Sequence, residues 1–162
     1  MARWEDVERE APELAAAVRG SFDAHKHKTM ATLRKDGSPR ISGTELDFFD
    51  GDVTFGSMWG AVKARDLQRD PRIAVHSATV DTEMAGGDAK IAGRAVEITD
   101  DADKAAFMQT YAEAAGQQPP GPFHLFRVDV TEIAHTRIGD PPDHLVVESW
   151  HEGTGTKRVE RK

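Results

Sequence analysis

Cysteine is missing from the 162-residue chain, which excludes disulfides, thiolate nucleophiles and Cys-bound metals. Positive charge is also short: 21 Lys and Arg face 28 Asp and Glu, a formal charge of −7. Nucleic acid and anionic lipid repel such a chain unless its cations cluster, so neither a nucleic-acid partner nor a membrane is expected. No apolar run approaches the length of a membrane-spanning helix. The opening "MARWEDVERE" carries acids where a secretory leader has an apolar centre, and a cytoplasmic location is the expectation. This length suits one domain around one core. We expect a single domain over 1–162, with an N-terminal helix over about 5–25 and a polar tail over about 152–162.

What is present points to a mainly β fold. Trp4, Val7, Leu14, Val18 and Phe22 recur at helical spacing and define one apolar face. "KTMATLR" and "PRISGTEL" flank the turn signal "KDGS", and a second Asp-Gly at Asp50 and Gly51 repeats it; both predict hairpins. "DVTFGS", "RIAVHSAT", "AKIAGRAVEIT", "FHLFRVDV", "EIAHTRI" and "HLVVESW" complete about eight strands, several alternating apolar with polar as a half-exposed antiparallel sheet does. Asp100 can cap a helix whose stripe is Ala105, Met108, Tyr111, Ala112 and Ala115 and whose end is Gly116. "GQQPPGP" and "GDPPD" are rigid connectors, and "EGTGTKRVERK" is too polar to bury. The sum is a β-barrel dressed with a few helices.

The stretch "GSMWGAVKARDLQRDP" (56–71) follows a strand and should run strand, turn, helix. Ser57 sits where it could cap that helix, whose free N–H groups and dipole suit a phosphate. Lys63 lies about one turn in and can reach back to an anion there. The alternative is an amphipathic surface helix in which Val62 packs, Lys63 pairs with Asp66 or Asp70 and Pro71 stops the run.

Other chemistries find little support. His25 and His27 in "HKHK" share a face if extended, yet neither they nor His76, His124, His135, His144 and His151 form a metal-ligand spacing, so no metal site is expected. "GSMWG" lacks the central serine of a nucleophile elbow, and "GTGTK" lacks a phosphate-loop arrangement. Asp100 and Asp101 read as helix-start acids rather than a catalytic pair. The missing constellation of catalytic side chains suits an enzyme whose cofactor carries the chemistry.

"KARDLQRDPRIAV" resembles the K-A-x-x-L-x-x-x-P signature of the pyridoxamine 5′-phosphate oxidase-like family, the flavin-binding split β-barrels. The order of elements over roughly 25–161, from "TMATLRKDGSPRISGTEL" to "ESWHEGTGTKRVER", resembles that family too. The resemblance implies an antiparallel Greek-key split barrel that forms a homodimer, holds FMN or the deazaflavin coenzyme F-420 at the subunit interface, and acts as an oxidoreductase on a small organic substrate. It implies Ser57 and Lys63, with Arg65, around the cofactor phosphate. Thr29 stands where relatives place a first basic residue and Arg34 near the second, so the usual FMN clamp is partial and the balance leans to F-420. The same resemblance implies the backbone of Arg40, Ser42 and Gly43 along the ring, and Met58 and Trp59 close by. By resemblance, Trp150, Arg158 and Arg161 reach cofactor and substrate across the dimer. Trp150 has a competing reading as a packing residue that ends an apolar strand. The alternative class on this barrel is a non-catalytic flavin, haem or tetrapyrrole store, in which His76, His124 or His151 would ligate haem iron.

Overall fold

The computed structural model describes residues 1–115 and 121–162. The N-terminal helix divides in two, α1 (Trp4–Glu10) and α2 (Pro12–Asp23). Pro12 disfavours helical backbone at Ala11, which sits at φ −141° and ψ 61°, and Pro12 itself opens α2 at a position that needs no N–H. The expected apolar face survives the break: Trp4, Val7, Leu14, Val18 and Phe22 are all buried, and α2 packs on the sheet behind them.

The strands are β1 (Lys28–Leu33), β2 (Pro39–Thr44), β3 (Asp47–Phe49), β4 (Asp52–Met58), β5 (Arg72–His76), β6 (Asp88–Ile98), β7 (Phe123–Ile138), β8 (Leu145–His151) and β9 (Gly155–Arg161). All pair antiparallel, in the order β2-β1-β5-β6-β7-β4-β3, with β8 and β9 continuing from β7. Both Asp-Gly hairpins form as expected. Asp50 and Gly51, both at positive φ, make the two-residue turn between β3 and β4, and Gly37 at φ 83° closes the turn between β1 and β2. The chain leaves β2 at one edge and re-enters as β3 and β4 at the other, and the curled sheet brings β2 and β4 close without a ladder between them. The result is a split barrel.

Three departures from the sequence reading have local causes. "FHLFRVDV" and "EIAHTRI" are one sixteen-residue strand, β7, interrupted by a bulge. Ala92 pairs with Glu132 and Gly93 with Val130, so Thr131 is the extra residue that broke the alternation. Gly93 is needed there, because a Cβ would run into the Asp129 carbonyl. The tail does not stay apart: β9 pairs along the whole of β8 while leaving its side chains largely exposed, since a backbone ladder needs no apolar residues. Strand β3 is not among the strands expected from the sequence, since three residues carry no alternation; its Phe48 and Phe49 pack on Trp4, Phe22 and Phe107.

Helices α3 (Val62–Arg69) and α4 (Asp101–Ala115) connect β4 to β5 and β6 to β7. Asp100 caps α4 as expected, accepting from the N–H groups of Ala102 and Asp103 at 2.9 and 3.0 Å. Its anchor is Phe107, edge-on to Phe49 at 5.7 Å, whereas Ala105 is exposed. Gly116, most of "GQQPPGP" and the side chain of Ala115 lie outside the described residues. Among the described residues no helix is long and apolar enough to cross a membrane.

Candidate functional site

The turn between β4 and α3 spans Met58 to Ala61. Ser57 does not cap α3. It is the penultimate residue of β4, and the N-cap position is taken by Ala61, which has no side-chain cap. Ser57 is 7% exposed, and its Oγ has no hydrogen-bond partner among the described residues, a state that costs free energy until a partner arrives. Gly60 supplies the φ of 71° that turns the chain into the helix.

Lys63 takes neither of the carboxylates open to it. Asp66 is held by Arg40 and Arg69, and Asp70 by Arg72. The Lys63 ammonium instead donates to the carbonyl of Gly43 at 2.7 Å, from α3 across to β2 at the split of the barrel. Burial pushes this ammonium below the ordinary lysine value, partly offset by the Glu45 charge. A half-buried cation resting on one carbonyl gains from an added anion. Arg65 is exposed on the same helix, and its Nη2 lies 3.7 Å from where a Gly60 Cβ would stand. Met58 and Trp59 are 81% and 63% exposed on the turn. Ser42 is half-buried and Gly43 exposed on β2. The structure thus brings Lys63 to Gly43 and Arg65 to the Gly60 turn.

His124 is a member of this arrangement that periodicity did not reveal. It lies opposite Ser57 in the β4–β7 register and is buried. Its Nε2 accepts the Gly60 N–H at 3.1 Å, so the ring proton resides on Nδ1 and is donated to Glu97 at 2.6 Å. Gln68 of α3 donates to the other Glu97 oxygen at 2.8 Å. Burial alone would raise the Glu97 carboxyl, but the Gln68 and His124 hydrogen bonds outweigh it and hold the group below its ordinary value. Trp59 stacks on the imidazole at 4.6 Å and 7°. The network ties β6, β7, the turn and α3 together. We expect His124→Phe, which keeps a ring beneath Trp59 but orphans the Gly60 N–H, to cost about 1–3 kcal/mol in chemical denaturation and to shift Trp59 emission. No change in either would remove His124 from the framework.

Three residues implied by the family resemblance sit elsewhere than at this turn. Arg40 turns its guanidinium into the barrel end, with Nε 2.6 Å from Asp66. Arg34 closes the β1–β2 hairpin through its backbone, and its Nε is buried without a partner among the described residues. Trp150 is 1% exposed within the core, and its indole N–H donates to Glu10 at 2.9 Å. Its ring belongs to packing, because β8 lies under the N-terminal helices. Arg158 and Arg161 are exposed on β9. Of the histidines considered for haem, His124 has both ring nitrogens engaged, His76 Nδ1 contacts the Ser77 carbonyl at 2.8 Å, and His151 is exposed with Glu132 at 3.5 Å.

A cavity of about 390 Å³ lies between α4 and the end of β4, bordered by Ser57, Met58, Trp59, Phe107, Tyr111 and Phe123 among others. Lys63 is not part of its lining.

Residues 14–137 match the family model described as pyridoxamine 5′-phosphate oxidase. No curated protein matches the chain. Among solved structures, the chain is similar to a pyridoxamine 5′-phosphate oxidase-related, FMN binding protein from Nostoc punctiforme, at 16% identity and TM-score 0.62 over 100% of this chain and 98% of that one. It is similar also to PhzG from Burkholderia lata, solved with tetrahydrophenazine-1-carboxylic acid, at 16% identity and TM-score 0.59 over 85% and 82%. HutZ, the haem storage protein of Vibrio cholerae, matches at 16% identity and TM-score 0.57 over 74% and 88%. At such identities these likenesses speak for the fold.

Proposed function

Because this chain belongs to the pyridoxamine 5′-phosphate oxidase family, we propose that it is an oxidoreductase. In this reading it binds FMN or F-420 at the β4–α3 turn and passes a hydride between that cofactor and a small organic substrate. The observation that carries the reading is Lys63, a half-buried ammonium with no carboxylate partner among the described residues, held at the split between β2 and β4. The residues fit an anionic cofactor unevenly. Lys63 and Arg65 supply cations, and the orphaned Ser57 hydroxyl awaits a partner. Arg40 is already committed to Asp66. Bound there, a flavin or deazaflavin would supply the hydride chemistry, which these side chains lack.

The protein's own part is binding and orientation. Lys63 and Arg65 would neutralise the phosphate, and the Gly43 carbonyl and the strand around Ser42 would border the ring. Trp59, braced by His124, would shield it. Ile41, Met58, Trp59 and Val62 expose large apolar surface around this turn, which supports a homodimer whose second copy covers it.

The test is the absorbance spectrum of the purified protein, followed by titration with FMN, F-420 and haemin. Reoxidation of the reduced cofactor by enones or quinones at a protein-dependent rate establishes turnover. Tight binding without it, or haemin alone binding, favours the storage class. Lys63→Ala is expected to weaken cofactor affinity by about 1–3 kcal/mol, the scale of a charge-assisted contact to an anion; an unchanged dissociation constant would sink the assignment.

A further inference from the structure

Few bonds hold the turn that carries Trp59. Within it the Ala61 N–H donates to the Met58 carbonyl at 3.1 Å, and across to the sheet the Gly60 N–H donates to His124 Nε2 at 3.1 Å. Met58 and Trp59 give most of their surface to solvent, and Gly60 has no side chain to pack. Among the described residues, His124 is therefore the mooring of this turn to the barrel: it accepts from Gly60 and lies stacked under Trp59.

That mooring depends on protonation. A backbone N–H can only donate, so the Gly60 contact requires a bare lone pair on Nε2 and hence a neutral ring. A second ring proton would set one N–H against another, replacing an attraction by a repulsion and leaving two donors without an acceptor. The surroundings make the imidazolium attainable although His124 is buried. Glu97 on β6 already accepts from Nδ1 at 2.6 Å and stays ionised below the ordinary carboxylate range, because Gln68 and His124 hydrogen-bond to it, so it answers the new charge. The stacked indole offers its face to a cation. Ser57, opposite His124 in the register, has a buried hydroxyl without a partner among the described residues, an acceptor on the facing strand once Gly60 is released. The other charges around the ring are cations, Arg65 of α3 beside Gly60 and Lys104 of α4, whose charge acts on Glu97. An imidazolium paired with Glu97 is neutral as a unit, so it adds little attraction for a phosphate to offset the loss of the turn.

We propose that His124 is a proton-operated latch and a positioning residue for the cofactor. Neutral, it holds Gly60 and Trp59 in place; protonated, it frees the turn, so affinity for an anionic flavin or deazaflavin falls as pH falls. The effect on the cofactor rests on the reading above, whereas the latch itself does not.

The test follows the Gly60 amide of the full chain by NMR. Its protection against hydrogen exchange, corrected for the intrinsic rate at each pH, should fall at least about fivefold between about pH 8 and about pH 5, in step with the His124 ring signals. His124→Gln keeps an acceptor near the Nε2 position and does not titrate, so its Gly60 protection should stay level. FMN affinity over the same range should weaken at least about fivefold more in the native chain than in His124→Gln, which experiences the same titration of the ligand's own phosphate. Where His124→Gln fails to fold, Glu97→Gln, at a more exposed carboxylate, should move the Gly60 midpoint to lower pH by removing the counter-charge. Gly60 protection independent of pH, a midpoint unrelated to the His124 ring, the native profile in His124→Gln, or an unmoved midpoint in Glu97→Gln would each overturn the latch. Gly60 titrating with His124 while neither FMN nor F-420 binds at either pH would sink the cofactor reading and leave the latch standing. FMN affinity with one pH profile in the native chain and His124→Gln would overturn the effect on the cofactor.

Discussion

Trp150→Ala is expected to lower the unfolding free energy by about 3–5 kcal/mol while leaving affinity for FMN or F-420 unchanged. The ring is 1% exposed in the cluster that includes Trp4, Val7 and Ile133, and truncation there removes both its transfer free energy and its packing contacts. Loss of the indole N–H adds little, because Glu10 is exposed and water can replace the donor. Against the 5–15 kcal/mol typical of a domain this is a large fraction, and thermal midpoints should fall by about 2–4 °C per kcal/mol. Urea denaturation measures the first quantity and cofactor titration the second. A variant of native stability that has lost the cofactor would instead place Trp150 at the ligand, as the family resemblance implies.

Asp66→Asn should cost about 3 kcal/mol, at the lower end of the range for breaking a buried ion pair. The carboxylate is 2% exposed and accepts from Thr32 at 3.0 Å, Arg40 at 2.6 Å and Arg69 at 2.8 Å. Thus one group joins β1, β2 and α3. The loss falls at the low end because Arg69 and Arg40 keep some contact with water and can rehydrate. A pH dependence follows. Burial alone would raise the Asp66 carboxyl, but the hydrogen bonds from Arg69, Arg40 and Thr32 prevail and hold it below the ordinary carboxylate value. The unfolded chain therefore takes up this proton first as pH falls. The contribution of Asp66 is complete above the unfolded pKa of about 4 and is lost as pH drops through the folded value beneath it. The stability gap between the native protein and Asp66→Asn, followed by urea midpoints from pH 7 to pH 3, should be constant at the upper end and narrow at the lower. A gap independent of pH would show that the carboxylate charge contributes nothing there.

Legibility in the sequence followed the range of the interactions. The N-terminal apolar face, the two Asp-Gly hairpins, the Asp100 cap and the Lys63 helix were readable, because each depends on residues a few positions apart; the α4 face was not, since Phe107 and not Ala105 is its buried contact. Thr131 left a visible gap between two strand patterns, and only the ladder identified it as a bulge. Within the candidate site, Lys63 could be singled out from its helix. His124 could not, since a lone histidine in an apolar strand carries no local sign that a glycine N–H 64 residues earlier will meet its Nε2.

By itself the chain's residue pattern determined most of the strands and helices and the inward face of the N-terminal segment, for backbone sterics and periodic apolar spacing act within a few residues; it left open whether Lys63 pairs with Asp66 or Asp70. Sheet order decided the rest. It set Lys63 on the Gly43 carbonyl 20 residues away, turned Arg40 onto Asp66 across 26, and drew Trp150 beneath Glu10 across 140. Partners so distant along the chain meet only once the strands between them have paired, and no local pattern records which strand lies beside which.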